Sequence, residues 1–360
     1  MKILFITGTL KAGGVEKYIT MASKNISNRY KDIKINIYCC ISAEGIFAAD
    51  LMDTDITVSG PKKTSNNRFD YGSLIQVLSK LKPDIIHSMI HSSELIQVYY
   101  YKRYSNAKIF FSQRNTTPLS GHARIRKIIQ YWLIKPFISS YTANGYATQN
   151  FLCSSVYEKK ENIPIAKNLI ESYLSKIKVP SDIINIVYTA RFHPIKNQKR
   201  FIQALLCLDK NILNKIKVIF IGSGKLLGEC KQLVSTNNLD DTVEFRGMVS
   251  NLDKVLKKSD IGILLSKSEG SSNALLEYIS YGLAVLSSDQ GDAPYIFNNE
   301  SISIIKENVD NQGIADILSR VIMDSSLLVN MKKDSLEIAK EYHIDKGTDR
   351  LLRIFGYYSE

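Results

Sequence analysis

The sequence is poor in everything that builds a metal centre or a disulfide framework. Its five cysteines (Cys39, Cys40, Cys153, Cys207, Cys230) form an odd, scattered set with no CxxC pair and no histidine at ligand spacing. That pattern reads as reduced thiols in a cytosolic protein. No HExxH helix signature occurs, and the i, i+4 pair His87 and His91 in DIIHSMIHSSE begins as a strand, which argues against a metal site. No apolar run reaches the ~18 residues of a membrane span. The opening MKILFITGTL has one lysine and too short an apolar core for a secretory signal, so ILFIT reads as a first buried strand. Dinucleotide and nucleoside-triphosphate fingerprints are missing too. FIGSGKLLG carries GxGxxxG rather than GxGxxG, and Lys225 is not followed by Ser or Thr, so the stretch reads as a tight strand–helix turn.

What is present is the balance of a globular chain. The 360 residues are 44% apolar and 23% charged, too long for one ordinary domain and comfortable for two. A formal net charge of +12 points to a polyanionic partner: nucleic acid, anionic lipid headgroups or a phosphorylated substrate. No nucleic-acid recognition motif accompanies the charge, so nucleic acid is set aside.

Short apolar runs alternate with helical patterns. KILFIT, IKINIYC, DIIHSM and KIFFSQ read as strands in the first half, and NIVYTA, KVIFIGSG, VEFRG, IGILLS and LAVLSS in the second. VEKYITMASKNI, SLIQVLSKL, QKRFIQALLCL and SNALLEYISYG have helical spacing between them. Strand–helix alternation occurring twice predicts an α/β chain of two Rossmann-like, doubly wound domains. The expected boundaries are 1–171 for the first domain, 172–184 for a linker and 185–340 for the second. A C-terminal helix over 341–360 is expected to pack back on the first domain. Open parallel sheets bind ligands beyond the carboxyl ends of their strands, so functional loops should follow strands.

Three loops do. GTLKAGGVEK (8–17) places Gly13 and Gly14 before a helix, where backbone N–H groups can meet a phosphate; the alternative is a plain flexible loop. ARFHPIKNQKRFIQAL (190–205) sets Arg191 and Lys196 beside a helix start, as a diphosphate clamp or as solvated surface charge. SEGSSNALLEYISYG (268–282) holds Glu269 in a loop and Glu277 in the helix that follows. Ser271, Ser272 and Asn273 predict a helix start near Asn273. Glu277 is either cleft-facing or solvated, and its apolar neighbours Leu275, Leu276 and Ile279 disfavour free exposure.

Together, GGVEK, RFHPIKNQ, IGSGKLLGE and SEGSSNALLEYISYGLAVLSSDQG occur in the order seen in the GT-B retaining glycosyltransferases of family 4 (glycosyltransferases group 1), which the whole chain resembles. The last block matches that family's Glu-x7-Glu signature. The resemblance implies two Rossmann-like domains facing each other across a cleft. It further implies that Arg191 and Lys196 hold the diphosphate of a nucleotide-sugar, so that no cofactor and no divalent metal is expected. Glu269 would bind donor-sugar hydroxyls, Glu277 the ribose, and the N–H groups at Ser272, Asn273 and Ala274 the phosphates. Met248 and Val249 would meet the base, Gly13 and Gly14 the donor phosphate or sugar, and His91 the donor sugar. Retention with front-face departure is the implied stereochemistry. Two departures touch donor detail: Met89 stands where relatives carry a histidine, and DQGDAPYIF has Asp292 and Tyr295 at places usually filled by glycine and glutamate.

The stretch SGHARIRKIIQYWLIKPFI (120–138) is basic and aromatic, with Arg124, Arg126, Lys127 and Trp132. It reads as an amphipathic helix on an anionic membrane surface, or as an internal helix with a solvated basic face. The expectation is a cytoplasmic enzyme, peripheral on the inner membrane face, moving a sugar from a UDP- or GDP-sugar to a glycan or lipid-linked glycan acceptor in bacterial surface polysaccharide synthesis. The competing readings are a GT-B fold epimerase or phosphorylase, and a nicotinamide-dependent oxidoreductase.

Overall fold

The structure is a computed structural model. It describes all residues except 12, 62–69, 91–93, 115, 117–120, 172, 173, 175, 179, 180, 250, 299–301, 359 and 360. The chain divides into two compact units: Met1–Glu171 with Ile344–Glu360, and Ser172–His343.

Unit 1 holds a six-stranded parallel sheet: β1 Lys2–Thr9, β2 Lys34–Ser42, β3 Thr57–Ser59, β4 Ile85–Ser88, β5 Lys108–Gln113 and β6 Ser140–Ala143. The strand order is β3-β2-β1-β4-β5-β6, the doubly wound order. β1 shows why an apolar run sits at its centre. Ile3 and Phe5 pack on one face with Tyr18, Ile19 and Ile26 of helix Gly14–Arg29. Leu4 and Ile6 pack on the other with Leu74 and Leu78 of helix Tyr71–Leu81. The C-terminal helix Ile344–Ile354 lies on the first helix. Arg29 donates to both carboxylate oxygens of Asp349 at 2.6 and 3.2 Å, and Asn25 donates to Asp345 at 2.8 Å. Leu351, Leu352 and Phe355 complete that layer.

Unit 2 repeats the plan with β7 Ile184–Thr189, β8 Ile216–Ile221, β9 Val243–Gly247, β10 Ile261–Leu264, β11 Ala284–Ser288 and β12 Ile304–Ile305. Its order is β12-β11-β10-β7-β8-β9. The winding reverses between β7 and β10, which pair directly through Ile186 and Ile261. Asp260, fully buried just before β10, accepts from Lys332 Nζ and from the Asn185 backbone N–H, each at 3.0 Å. Burial lowers the Lys332 pKa and the Asp260 charge opposes that shift. The buried pair ties helix Ser325–Glu341 to the sheet.

Two parallel doubly wound sheets realise the expected α/β class. β3, β6 and β12 were not among the expected strands; β3 and β12 are three- and two-residue edges, and β6 is a four-residue edge reading SYTA. Of the expected linker, Leu174 already donates to Ser280 O within unit 2, at 2.9 Å. The five cysteines are free thiols, and burial pushes Cys39 and Cys40 up to about 12.

Candidate active site

The loops after β7 and β10 leave adjacent strands at the point where the winding of unit 2 reverses, and they are laced together. Tyr188, near the end of β7, donates its hydroxyl proton to Lys196 O and accepts from Leu265 N–H at 2.9 Å. Lys267 N–H donates to Ile195 O at 2.8 Å. Across this seam the Lys196 ammonium is paired with the Glu269 carboxylate, and Ser266 Oγ donates to the same Oε1 at 2.5 Å. Both partners of the pair are largely buried.

The loop after β11 braces the carboxylate from behind. Gly291 has φ +62°, and a Cβ there would lie 2.2 Å from Gly270 O and 2.8 Å from Glu269 Cβ. Asp292 N–H donates to Gly270 O at 3.0 Å. The loop after β8 braces the cationic side in the same way. Cβ atoms at Gly222 and Gly224 would lie 2.1 and 2.3 Å from Ala190 O and Phe192 O. These glycines serve close loop packing, as the tight-turn reading of FIGSG expects.

Helix Asn273–Ser280 starts at Ser272, whose side chain makes no cap hydrogen bond. Tyr278 fixes its seat: its hydroxyl accepts from Thr189 N–H at 2.6 Å and donates to Ile263 O at 3.3 Å. Gly262 makes room, since a Cβ would sit 2.3 Å from the Tyr278 ring. Leu275, Leu276, Tyr278 and Ile279 bury one face, while Asn273, Ala274 and Glu277 stay half-buried. Asn273 and Glu277 are four apart, on one side of the helix. Arg191 is exposed, and its carbonyl accepts from Gln198 Nε2 at 3.0 Å. Lys199 pairs with Glu229, and Arg200 donates to Val309 O. His193 Nδ1 accepts from Ile195 N–H at 3.3 Å, a loop-shaping contact. Met248 and Val249 follow β9 beyond the left-handed Gly247, and Met248 is strongly exposed.

These loops coincide with a recognised sequence family. Residues 170–337 match the family described as Glycosyl transferases group 1. That match covers most of unit 2. The N-acetyl-alpha-D-glucosaminyl L-malate synthase of Bacillus anthracis is 25% identical over 192 residues, 53% of this chain and 48% of that protein. The chain thus spans about half the length of that relative. A Campylobacter jejuni GalNAc-alpha-(1->4)-GalNAc-alpha-(1->3)-diNAcBac-PP-undecaprenol alpha-1,4-N-acetyl-D-galactosaminyltransferase is 21% identical over 99% of this chain and 98% of its own length. Among solved structures, Anabaena Alr3699/HepE in complex with UDP superposes with a TM-score of 0.80 at 16% identity, covering 99% of this chain and 100% of that one. The fold is therefore that of the GT-B glycosyltransferases.

In unit 1 the expected residues fare unevenly. Gly13 precedes helix Gly14–Arg29 at φ 157°, and a Cβ there would lie 2.3 Å from the Glu16 carboxylate. The loop's own acid thus folds back on the helix start. His91 lies outside the described residues. His87 is a core residue: its Nε2 is 3.1 Å from Thr142 Oγ1, and its ring packs against Phe5, Phe110 and Phe355. Burial, helped by the nearby Arg114 charge, lowers its pKa to about 3.

Helix Gly121–Ile134 corrects part of the membrane expectation. Arg124, Arg126 and Trp132 are exposed. Lys127 turns inward, because Glu94 is fully buried and needs a counter-charge. The Lys127 ammonium donates to both Glu94 oxygens at 2.7 and 2.8 Å, with Gln130 and the Tyr141 hydroxyl each adding a bond at 2.8 Å. The outward face is more apolar than the sequence reading gave. Ile125, Ile129, Trp132 and Leu133 are exposed beside Leu95, Ile96 and Tyr99 of helix Glu94–Tyr104. Among the described residues no helix is long and apolar enough to cross a membrane.

Proposed function

We propose that the chain is a retaining glycosyltransferase that moves a sugar from a UDP- or GDP-sugar to a hydroxyl of a lipid-linked glycan acceptor, in bacterial surface polysaccharide synthesis. The observation that carries this reading is the Lys196–Glu269 pair on adjacent loops at the reversal of unit 2, beside an uncapped helix start. It gives one site a cation for the departing diphosphate and a carboxylate for sugar hydroxyls. Arg191 and Lys196 take up negative charge as the anomeric C–O bond to the diphosphate breaks. N–H groups at Asn273 and Ala274 meet the phosphates. Glu269 orients the sugar and Glu277 accepts from the ribose. In this scheme the two cations serve where other transferases use a divalent metal. The leaving phosphate oxygen takes the acceptor proton on the same face, so configuration is retained. The Campylobacter relative's undecaprenol-diphosphate acceptor and the UDP in the Anabaena structure support the donor and acceptor classes.

The apolar, cation-rimmed face of helices Glu94–Tyr104 and Gly121–Ile134 supports a peripheral position on an anionic cytoplasmic membrane surface, where such acceptors reside. Hydrolysis of a nucleotide-sugar panel, followed by NMR of the transferred anomeric centre, tests the reaction. Turnover of at least one donor with the donor's anomeric configuration kept in the product is expected. Inversion, or no turnover of any donor, overturns the proposal.

A further inference from the structure

Unit 1 contains a partly buried cation that the chemistry above does not use. Arg114 is the first residue after β5, at the carboxyl end of the sheet. Its guanidinium carbon lies 3.4 Å from the centroid of the Tyr18 ring, and Nη1 donates to Asn168 Oδ1 at 2.7 Å. Nε and Nη2 are buried and have no hydrogen-bond partner among the described residues. No described carboxylate pairs with them. Arginine does not shed its proton in a protein, so this is a charge partly withdrawn from water with three of its five N–H donors unmet. Proteins seldom tolerate that without a purpose.

The unmet atoms are a matched set. Nε and Nη2 form the side-on edge of the fork, the edge that takes the two oxygens of a carboxylate or phosphate together. The surroundings are polar where a core would be apolar. β5 and β6 pair in register at Gln113 and Ala143, so Asn144 is the next residue on the neighbouring strand. Asn144 is 3% exposed and its Oδ1 has no partner. Thr148, in the first turn of helix Tyr146–Val156, is buried with an unpartnered Oγ1. Asn168 follows the short stretch that bridges to β6 at Ile165. Burial also lowers the Arg114 pKa, and Tyr18 opposes that shift.

We propose that the Nε/Nη2 edge of Arg114 binds one oxyanion of the acceptor: a phosphate ester or a carboxylate. Assigning the anion to the acceptor rests on the glycosyltransferase reading; the anion site itself does not. The two are therefore tested separately.

The first arm uses the full chain carrying Arg191→Gln and Lys196→Gln, which removes the cations of the other unit. Thermal shifts are read with inorganic phosphate, pyrophosphate and malonate against chloride at constant ionic strength. An anion-dependent rise in melting temperature that disappears when Arg114→Gln is added is expected. No shift, or a shift that Arg114→Gln leaves intact, overturns the site. A response to malonate alone assigns a carboxylate, and a response to the phosphates assigns a phosphate ester. Arg114→Lys keeps the charge without the fork, so the same loss is expected of it, and it is read in place of Arg114→Gln if the latter does not fold by circular dichroism.

The second arm compares acceptor sugars that differ only at the anomeric substituent, methyl against alkyl diphosphate, using the wild-type chain and Arg114→Gln. The wild type should show a KM at least about tenfold lower for the anionic acceptor, and the variant should lose that ratio. Equal ratios in the two proteins overturn the acceptor assignment. A wild type that turns over no donor sinks the glycosyltransferase reading, while the first arm still decides the anion site.

Discussion

Lys196 and Glu269, 73 residues apart in sequence, form an ion pair at the mouths of the neighbouring strands β7 and β10. Their loops are joined by the Tyr188 hydroxyl and by the Lys267–Ile195 backbone bond, so the pair is held rather than incidental. Groups that share one interaction respond non-additively to removal. Lys196→Gln and Glu269→Gln should each lower turnover on the order of 10²–10³-fold. The double variant should lose far less than the product of the two. A double-mutant cycle on kcat checks this, and strictly multiplicative losses would show that the two residues act independently.

Glu277 sits one helical turn beyond Asn273, half-buried on the same side. A carboxylate accepting from ribose hydroxyls makes a charge-assisted bond worth roughly 1.5–3 kcal/mol. Glu277→Gln should therefore weaken UDP or GDP binding about tenfold, with little change in the turnover of saturated enzyme. Calorimetric titration of the nucleoside diphosphates reads the first quantity and steady-state kinetics the second. The reverse pattern, with intact binding and lost turnover, would move Glu277 from the nucleotide to the sugar.

The central strands of both sheets could be read in the sequence because they are buried on both faces and therefore apolar throughout. KILFIT and IGILLS leave no other reading. β3, β6 and β12 could not, because an edge strand has one neighbour, needs few residues and carries polar ones such as Ser140 and Thr142. The loops after β7 and β10 were legible as motifs, but the pairing of Lys196 with Glu269 was not. Nothing in RFHPIKNQKR says which of Arg191, Lys196, Lys199 and Arg200 turns toward the second loop, and the fold decides by tying Lys199 to Glu229 and Arg200 to Val309. Lys127 misled for a related reason. Its partner Glu94 lies 33 residues away in the chain, and a basic helix reads as a basic face until that partner is known. Arg114 carried no signal at all, since a guanidinium with unmet donors is visible only once its surroundings are.

Gly291 should be intolerant of a side chain. Its φ of +62° is costly for alanine, and a Cβ would run into Gly270 O and Glu269 Cβ. Gly291→Ala is expected to destabilise the chain by about 1–3 kcal/mol. It should also displace Glu269, so turnover falls more than nucleotide binding does. Melting curves and kinetics of the variant check both, and wild-type turnover in a folded Gly291→Ala protein would show that the brace is dispensable.

His87 makes stability depend on pH. Its folded pKa of about 3 lies below the ordinary value near 6.5 because burial disfavours the charged ring. The unfolded chain therefore takes up the proton first as pH drops. The His87 contribution is complete above about pH 6.5 and is lost progressively toward pH 3. At pH 5 the gap of about 1.5 units corresponds to roughly 2 kcal/mol. Denaturant melts at pH 7.5 and pH 5 should show a drop of that order in the wild type and a smaller one in His87→Gln. Identical drops would place the acid sensitivity elsewhere.

The outward face of helix Gly121–Ile134 and its inward lysine predict opposite outcomes from neighbouring substitutions. Ile129 and Trp132 are exposed and apolar, and Arg124 and Arg126 are exposed cations beside them. A surface of this kind gains affinity for anionic bilayers from apolar insertion and from charge together. Ile129→Glu with Trp132→Glu should abolish cosedimentation with phosphatidylglycerol vesicles at low salt while keeping the chain folded, since both side chains are exposed. Lys127→Gln should do the reverse. It leaves the buried Glu94 carboxylate without its cation, at a cost of roughly 3 kcal/mol, and it removes no charge from the outer face. A lowered melting temperature with unchanged vesicle binding is therefore expected of Lys127→Gln. If Lys127→Gln weakens vesicle binding as strongly as Ile129→Glu with Trp132→Glu does, the membrane face runs through Lys127 rather than past it.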